Sequence, residues 1–488
     1  MRTEAGRRRR WLLQAMVLGG AAAATGCRRD DADDGTVSDV TDIDHIPVAG
    51  QIRPTSTAAL QQALRRSRGP VSIGGARYSM GGQIAADGST HIDMRGMQRL
   101  LRLDAEARTV RVQAGMCWRD LQDHLDPHDL AVRIMQSYSN FSIGGSLSVN
   151  CHGRYVGAGP LAHSVRALQL VTADGHAHEL DRRHAPELFA AVLGGYGGLG
   201  VVTEVELDLD ENFPIRRDAQ RVALDEYPGF FREQVQARPG ILLHNADLMP
   251  PDFDRPLAIS WTRTDAPLTV TERLVPRALD YGREQNLIWS ASELPGGGTL
   301  REKFQTERIL RESPVVLRNR EASLDAASLE PRTRMFSTYL LQEYFIPVAS
   351  FATFARRMAA ILRRYEVNAL NVSIRHSPPD TVSLLKWAPQ EVFSFVLYHK
   401  QRAWPGADEA AGIWTRQLID TALALGGRYY LPYRLHATPA QFHRAYPEAA
   451  AFAALKRRFD PERRFRNRLW DRYLPESLRP YAHPGRAP

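Results

Sequence analysis

Residues 186–205 read PELFAAVLGGYGGLGVVTEV, and the order of elements within this stretch decides the fold. Gly195, Gly197 and Gly200 make a formal G-x-G-x-x-G match, the fingerprint of a dinucleotide-binding turn. That fingerprint works only where a strand runs into the glycines and a helix leaves them. Here the order is inverted. Glu187–Leu193 has helical spacing, and Val201–Leu209 alternates as a strand. A Rossmann-type NAD site is therefore not expected, and the glycines point to another cradle.

Two more glycine loops lie upstream. Residues 144–154 read GGSLSVNCHGR, and residues 74–83 read GGARYSMGGQ after the strand-like Val71–Ile73. Glycines let successive main-chain N–H groups curl round an anion, and Ser79 adds a hydroxyl donor. A diphosphate suits the first loop. The paired Gly144-Gly145 admits a flat ligand, to which His152 and Arg154 offer polar groups.

Around these loops the texture is of short elements. Helices are expected at Ala58–Arg66 and Trp118–Leu125, and strands at His91–Met94, Thr109–Ala114 and Ser164–Thr172, the last turning at Asp174-Gly175. From about residue 213 glycines thin out. Amphipathic helices are expected at Ser350–Arg364 and Ile413–Leu425. Strands are expected at Leu257–Thr262, Thr338–Ile346, Ala369–Ile374, Val382–Trp387 and Phe393–His399. Strands mixed with long helices suggest a sheet covered on one face.

The three loops in this order resemble the FAD domain of the vanillyl-alcohol oxidase and p-cresol methylhydroxylase (PCMH) superfamily. The likeness is carried by GGSLSVNCHGR, by LQLVTADG at 168–175, by residues 187–207, and by GGRYYLPYRLHATPAQFHRAYP at 426–447 followed by FDPERRFRN at 459–467. Its texture is nearest to decaprenylphosphoryl ribose, gulonolactone, arabinonolactone and alditol oxidases. The resemblance implies an α+β chain with a two-subdomain PCMH-type FAD domain at 46–210. A cap with an antiparallel sheet covered by helices would span 211–427, and 428–480 would return to the FAD domain. It implicates Gly74, Gly75, Arg77, Tyr78, Ser79, Gly81, Gly144, Gly145, Ser148, His152, Gly153, Gly197, Gly200 and Val202 in holding FAD. Relatives carry a flavin-linked histidine where Tyr78 stands and, in some, a linked cysteine where Tyr138 stands, so the FAD is expected to be non-covalent. Relatives also hold a catalytic lysine at the place of Tyr433.

Oxidising an alcohol needs a base for the hydroxyl proton and positive charge for the reduced flavin. The candidates are Tyr433, Lys386, His152, Tyr430, His399 and Arg375. Tyr433, as a tyrosinate or paired with Arg434, would replace the lysine. Lys386 and Arg375 end strand-like runs, and His399 shares a face with the apolar 393, 395 and 397. The stretch Gln342-Glu343-Tyr344 matches a strand that lines the substrate cavity in the resembling oxidases, with Glu343 facing opposite to its neighbours. The expected partners are a hydroxylated small molecule and oxygen or a quinone as electron acceptor. A flavin dehydrogenase for an amine or a lipid-linked sugar, or a flavin-binding exported lipoprotein without turnover, are the alternatives.

The chain has 488 residues with 43% hydrophobic and 24% charged side chains, ordinary for a globular protein of two or three domains. The net charge of +8 leans on arginines in the first ten residues, and without residues 1–26 it falls to about +4. Nucleic acid is not an expected partner, and no metal spacing is present. The basic start, the apolar run Trp11–Ala24 and Ala24-Thr25-Gly26-Cys27 read as an export signal over 1–27 with a twin-arginine pattern and a lipoprotein box. Residues 28–45 read as a flexible tether. A periplasmic enzyme, touching the membrane only through a lipid on Cys27, is the expectation. Cys117 and Cys151 read as small buried hydrophobes, with their pairing left open.

Overall fold

A computed structural model describes residues 35–277, 279–294 and 306–475. The export signal and most of the tether lie outside the described residues. The described residues form an α+β chain with three sheets and a short N-terminal hairpin.

The smallest sheet is parallel, ordered Gly50–Ile52, Thr90–Asp93, Val71–Gly74. Its helix, Thr57–Arg66, starts because the Ser56 hydroxyl accepts from Ala59 N–H, and it buries Leu60 and Leu64, one turn apart. The C-terminal segment extends this sheet. Val71 donates its N–H to Arg464 O and accepts from Arg466 N–H. The second sheet is antiparallel and centres on Val201–Glu211, flanked by Val165–Val171 and Thr109–Gln113. Inward positions of Val201–Glu211 alternate with half-buried acids, the pattern of a strand with one wet face.

The third sheet has eight antiparallel strands. Ala369–Ser377, Val392–Arg402 and Ser337–Pro347 run side by side toward one end of it, where Arg428–Tyr429 pairs at the edge. Helix Phe351–Arg364 packs Phe351, Phe354, Ala355, Met358, Ala359 and Leu362 against it, a 3.6-residue stripe. Helix Ala407–Ala424 lies beside that helix and touches the same sheet. The face opposite these helices looks toward the glycine loops.

Two expectations fail. Residues 36–45, read as the end of a tether, belong to a hairpin of Thr36–Ser38 and His45–Pro47 in which Val37 is fully buried. Asp44 anchors it by ion pairs to Arg434 and Arg468. Acidic composition suggested solvent, but Asp44 has cationic partners supplied from far along the chain and Asp39 is hydrogen-bonded by Thr41. Val382–Trp387 is no strand. The Asp380 carboxylate accepts from the N–H groups of Val382 at 2.8 Å and Ser383 at 3.0 Å and bends the chain. The buried alternation of Ser383, Leu385 and Trp387 arises because this loop is pressed on the second glycine loop. There Asn150 donates to Asp380 Oδ2, and the Trp387 indole donates to Asn150 O at 2.9 Å.

Candidate active site

One cavity of about 220 Å3 is bounded by all three glycine loops and by the third sheet. The loops are brought together by backbone proximity that side chains would forbid. A Cβ on Gly75 would stand 2.1 Å from Ser142 Oγ, and one on Gly144 would stand 2.9 Å from both Cβ and O of Ala114. Gly197 takes φ 67°, a left-handed conformation that glycine adopts without strain. The third loop is held from behind by Lys456, whose ammonium donates to Gly198 O at 2.7 Å, and by the Trp470 indole, which donates to Gly195 O. As the sequence order required, helix Pro186–Val192 precedes this loop and strand Val201–Glu211 follows it.

Of the residues implicated in cofactor binding, Gly75, Arg77, Tyr78, Ser79, Gly144, Gly145, Ser148, His152, Gly197, Gly200 and Val202 line the cavity. Gly74, Gly81 and Gly153 do not. They are glycines for packing behind the wall. A Cβ on Gly74 would strike the His91 ring, one on Gly81 would stand 2.4 Å from Tyr433 O, and one on Gly153 would stand 2.1 Å from Met135 O. Arg77 takes φ 64°, which curls the first loop. No carboxylate occurs in residues 74–83. A donor-rich first loop joined to a narrow slot between glycines fits a diphosphate and a planar ring system. The Ser137 hydroxyl on the cavity wall is buried and has no hydrogen-bond partner among the described residues, so it awaits a polar ligand.

The chemistry-bearing residues converge where the second loop meets the third sheet. His152 Nε2 lies 2.6 Å from Glu343 Oε1, and the Tyr433 hydroxyl donates to Glu343 Oε2 at 3.1 Å. Glu343 is 3% exposed. Burial alone would raise its carboxyl, but the charge and hydrogen bond of His152, with Arg375 and Tyr433, outweigh that and hold it below the usual carboxylate range. Tyr433 is the reverse case. Burial, then the Glu343 charge, pushes its phenol well above the ordinary value. Tyr433 is thus a neutral donor and not the tyrosinate expected from the sequence. The Tyr433–Arg434 pairing also fails, because Arg434 turns outward to Asp44 and Asp408.

An aromatic wall encloses the pair. Phe345 and Trp387 stack with centroids 4.3 Å apart, and the His152 ring lies 4.8 Å from Trp387. Tyr430 lines the cavity but spends its hydroxyl on Val149 O at 2.8 Å. It is a wall residue and not an acid or base, its phenol raised by burial. Arg375 lines the cavity as well.

Lys386 and His399 lie outside the cavity wall. Lys386 sits on the loop that replaces the expected strand. His399 is on the helix-covered face of Val392–Arg402, its ring edge-on to Trp414 at 5.1 Å. Strand alternation explains this. Val396 faces the cavity, so the odd positions face away. The residue sequence reasoning underrated is Glu343. Its signal was an acid flanked by Gln342 and Tyr344 in an otherwise apolar run, a placement that costs too much without a partner. Cys117 and Cys151 are not joined by a disulfide. Cys151 lines the cavity, its thiol pushed up to about 12 by burial.

With this geometry in place, comparison with known proteins is informative. Residues 48–181 match the family described as FAD binding domain, and residues 249–473 match that described as D-arabinono-1,4-lactone oxidase. The chain is similar to the alditol oxidase of Streptomyces sp., at 34% identity over 33% of this chain and 39% of that protein. It is similar to the L-gulono-1,4-lactone dehydrogenase of Mycobacterium tuberculosis, at 24% identity over 87% of this chain and 95% of that protein. L-gulonolactone oxidase of Mus musculus is 32% identical over 33% of this chain and 37% of its own length. Several of these relatives are thus matched over well under two thirds of their length. FAD is the cofactor that these matches and the cradle agree on.

Proposed function

We propose that this chain, a member of the vanillyl-alcohol oxidase and p-cresol methylhydroxylase superfamily of FAD-linked oxidoreductases, oxidises a CH–OH group of a polyol, sugar or aldonolactone. The observation that carries this reading is the buried Glu343–His152 pair inside the cavity shared by the three glycine loops. FAD, when bound, supplies the acceptor for the hydride from the carbinol carbon.

The chain's own residues do the rest. The first loop, with Arg77 and Ser79, holds the diphosphate, and Gly144, Gly145, Gly197 and Val202 bound the slot for the ring. The hydroxyl proton is taken up by the Glu343–His152 pair. Its nitrogen and oxygen stand in hydrogen-bond contact at 2.6 Å, so a proton that reaches either group stays within the pair. Tyr433 holds Glu343 Oε2 and keeps the carboxylate aimed. Phe345, Trp387 and Tyr430 exclude water, which strengthens each of these interactions. Tyr78 stands where the resembling oxidases carry a flavin-linked histidine, and its ring is packed on Phe141, which supports FAD held without a covalent bond.

The test is anaerobic bleaching of the flavin by a panel of alditols and aldonolactones. Bleaching by at least one member is expected, and a flavin left oxidised by every hydroxylated compound points to a binder without turnover. Reoxidation by oxygen or by a quinone then identifies the acceptor. The same reading places the protein outside the cytoplasmic membrane with a lipid on Cys27, a proposal supported by the Arg8-Arg9 and Ala24–Cys27 sequences alone. Mass spectrometry of the mature N-terminus tests it: a diacylated Cys27 is expected, and cleavage elsewhere overturns the anchor.

A further inference from the structure

We propose that Arg375, Tyr138 and Ser137 form a subsite for an oxyanion, so that the preferred substrate is a polyol carrying a carboxylate or a phosphate. This rests on the function proposed above and narrows it to a substrate class.

The three side chains come from different parts of the chain and share the cavity wall. Arg375 projects from the Ala369–Ser377 strand, opposite Ser394 in the neighbouring strand. Ser137 and Tyr138 lie on the connection between the Leu130–Val132 strand and the second glycine loop. That connection is pinned from outside. Ser139 donates its N–H to Leu324 O at 2.9 Å, and Asn140 donates to Asp325 Oδ1 at 3.0 Å and accepts from Ala326 N–H at 2.7 Å. The subsite is therefore built on held backbone on both sides.

Two of its polar atoms are unsatisfied. Arg375 Nε and Ser137 Oγ are buried with no hydrogen-bond partner among the described residues. The carboxylate that Arg375 faces, Glu343, is engaged by His152 at 2.6 Å. The neighbouring cation Arg154 is neutralised by Glu321 at 2.8 Å. One guanidinium is thus left in the cavity with no ion-pair partner among the described residues. Burial raises the Tyr138 phenol, against the smaller lowering charges of Arg375 and Arg154 and with Asp247 and Glu321 adding to the rise, so it is a neutral donor. A planar fork of N–H groups beside two hydroxyl donors matches the oxygens of a carboxylate or phosphate. Arg375 is half-buried and its buried Nε lacks a partner among the described residues, so a ligand that brings negative charge to it is favoured over a neutral polyol. Glu343, the nearest carboxylate, is already hydrogen-bonded to His152 at 2.6 Å and to the Tyr433 hydroxyl at 3.1 Å.

The test uses FAD-loaded full-length protein and three donors of similar size: sorbitol, gluconate and sorbitol 6-phosphate. At least one anionic donor is expected to exceed sorbitol about tenfold in kcat/KM, the better of the two identifying the anion. Arg375→Gln should erase most of that ratio by raising KM for the anionic donor, and Arg375→Lys should restore part of it. Equal loss on sorbitol and on the acids, or no preference in the unaltered protein, overturns the subsite while leaving alcohol oxidation standing. If no donor reduces the flavin, the function proposed above fails instead. The subsite is then decided by titrating the flavin spectrum with glutarate, where saturable perturbation abolished by Arg375→Gln supports it and an unchanged spectrum overturns it.

Discussion

His152 Nε2 and Glu343 Oε1 stand 2.6 Å apart, although 191 residues separate them in the chain. One side chain comes from the second glycine loop and the other from the Ser337–Pro347 strand, so this hydrogen bond closes the FAD-binding part against the third sheet. Any ligand in the cavity meets both. The pair also explains why a carboxylate tolerates 3% exposure: its charge is compensated at contact distance instead of by water.

Glu343→Gln therefore removes the group that accepts the hydroxyl proton without changing the shape of the wall. Turnover with the best alditol or aldonolactone should fall by about 10²–10⁴, the usual contribution of a positioned general base. Bound FAD, read from its absorbance, should remain. The acid limb of kcat/KM in the unaltered protein should sit below the ordinary carboxylate range, because Glu343 is held ionised there. A Glu343→Gln enzyme within tenfold of the parent sinks the assignment.

Tyr433→Phe asks a different question. The phenol is a neutral donor, its ionisation pushed far up by burial and by Glu343. Losing a hydrogen bond to a charged acceptor costs about 1.5–3 kcal/mol, so kcat should drop roughly ten- to a hundredfold. No ionisation near pH 10 should disappear from the rate profile. If the parent shows an alkaline limb that Tyr433→Phe abolishes, the residue is a base after all.

The boundary between what the sequence reveals and what it hides follows from the range of each interaction. The inverted helix–glycine–strand order at 186–205 is local, and it excluded one nucleotide fold and located the loops of another. Alternation along Phe393–His399 is local too, and it grouped His399 with the apolar positions; which face met the ligand depended on the sheet's partner layer. Val382–Trp387 misled for the same reason. Its alternating burial comes from Asn150, more than 200 residues away, and not from a ladder of strand hydrogen bonds. Arg434 looked free to assist Tyr433 because its partners, Asp44 and Asp408, are brought to it by folding. Glu343 was in plain view, but its significance lay in His152 being its neighbour.

The cofactor should leave intact when the protein is denatured. Tyr78 packs its ring on Phe141 with centroids 4.4 Å apart, and the Cys151 thiol is pushed up to about 12 by burial, a poor nucleophile. Acid precipitation should release FAD to the supernatant. Colour kept in the pellet would show a covalent link and refute this account of Tyr78. In the same experiment Gly144→Ala should lower the FAD content per chain at least tenfold, since its methyl would meet Ala114 O at 2.9 Å, a backbone atom with little room to yield.

His399 offers a test of stability instead of catalysis. Burial, with a smaller contribution from His436, drops its imidazole from 6.5 to about 3, and both ring nitrogens lack partners among the described residues. The folded state thus binds fewer protons here than the unfolded chain, whose histidine titrates at the usual value. The stabilisation is complete above pH 6.5 and is lost as pH falls toward 3. His244, also lowered to about 3 by burial, adds to the same window. Tm should therefore decline steadily between pH 6.5 and 4. Because the unpartnered ring nitrogens of His399 carry a desolvation cost, His399→Leu should leave Tm at pH 7.5 nearly unchanged or higher. It should also flatten the acid decline. Turnover should be retained, as the ring lies against Trp414 on the far side of the sheet from Glu343. A His399→Leu protein that folds and binds FAD but has lost activity would return this histidine to the catalytic machinery.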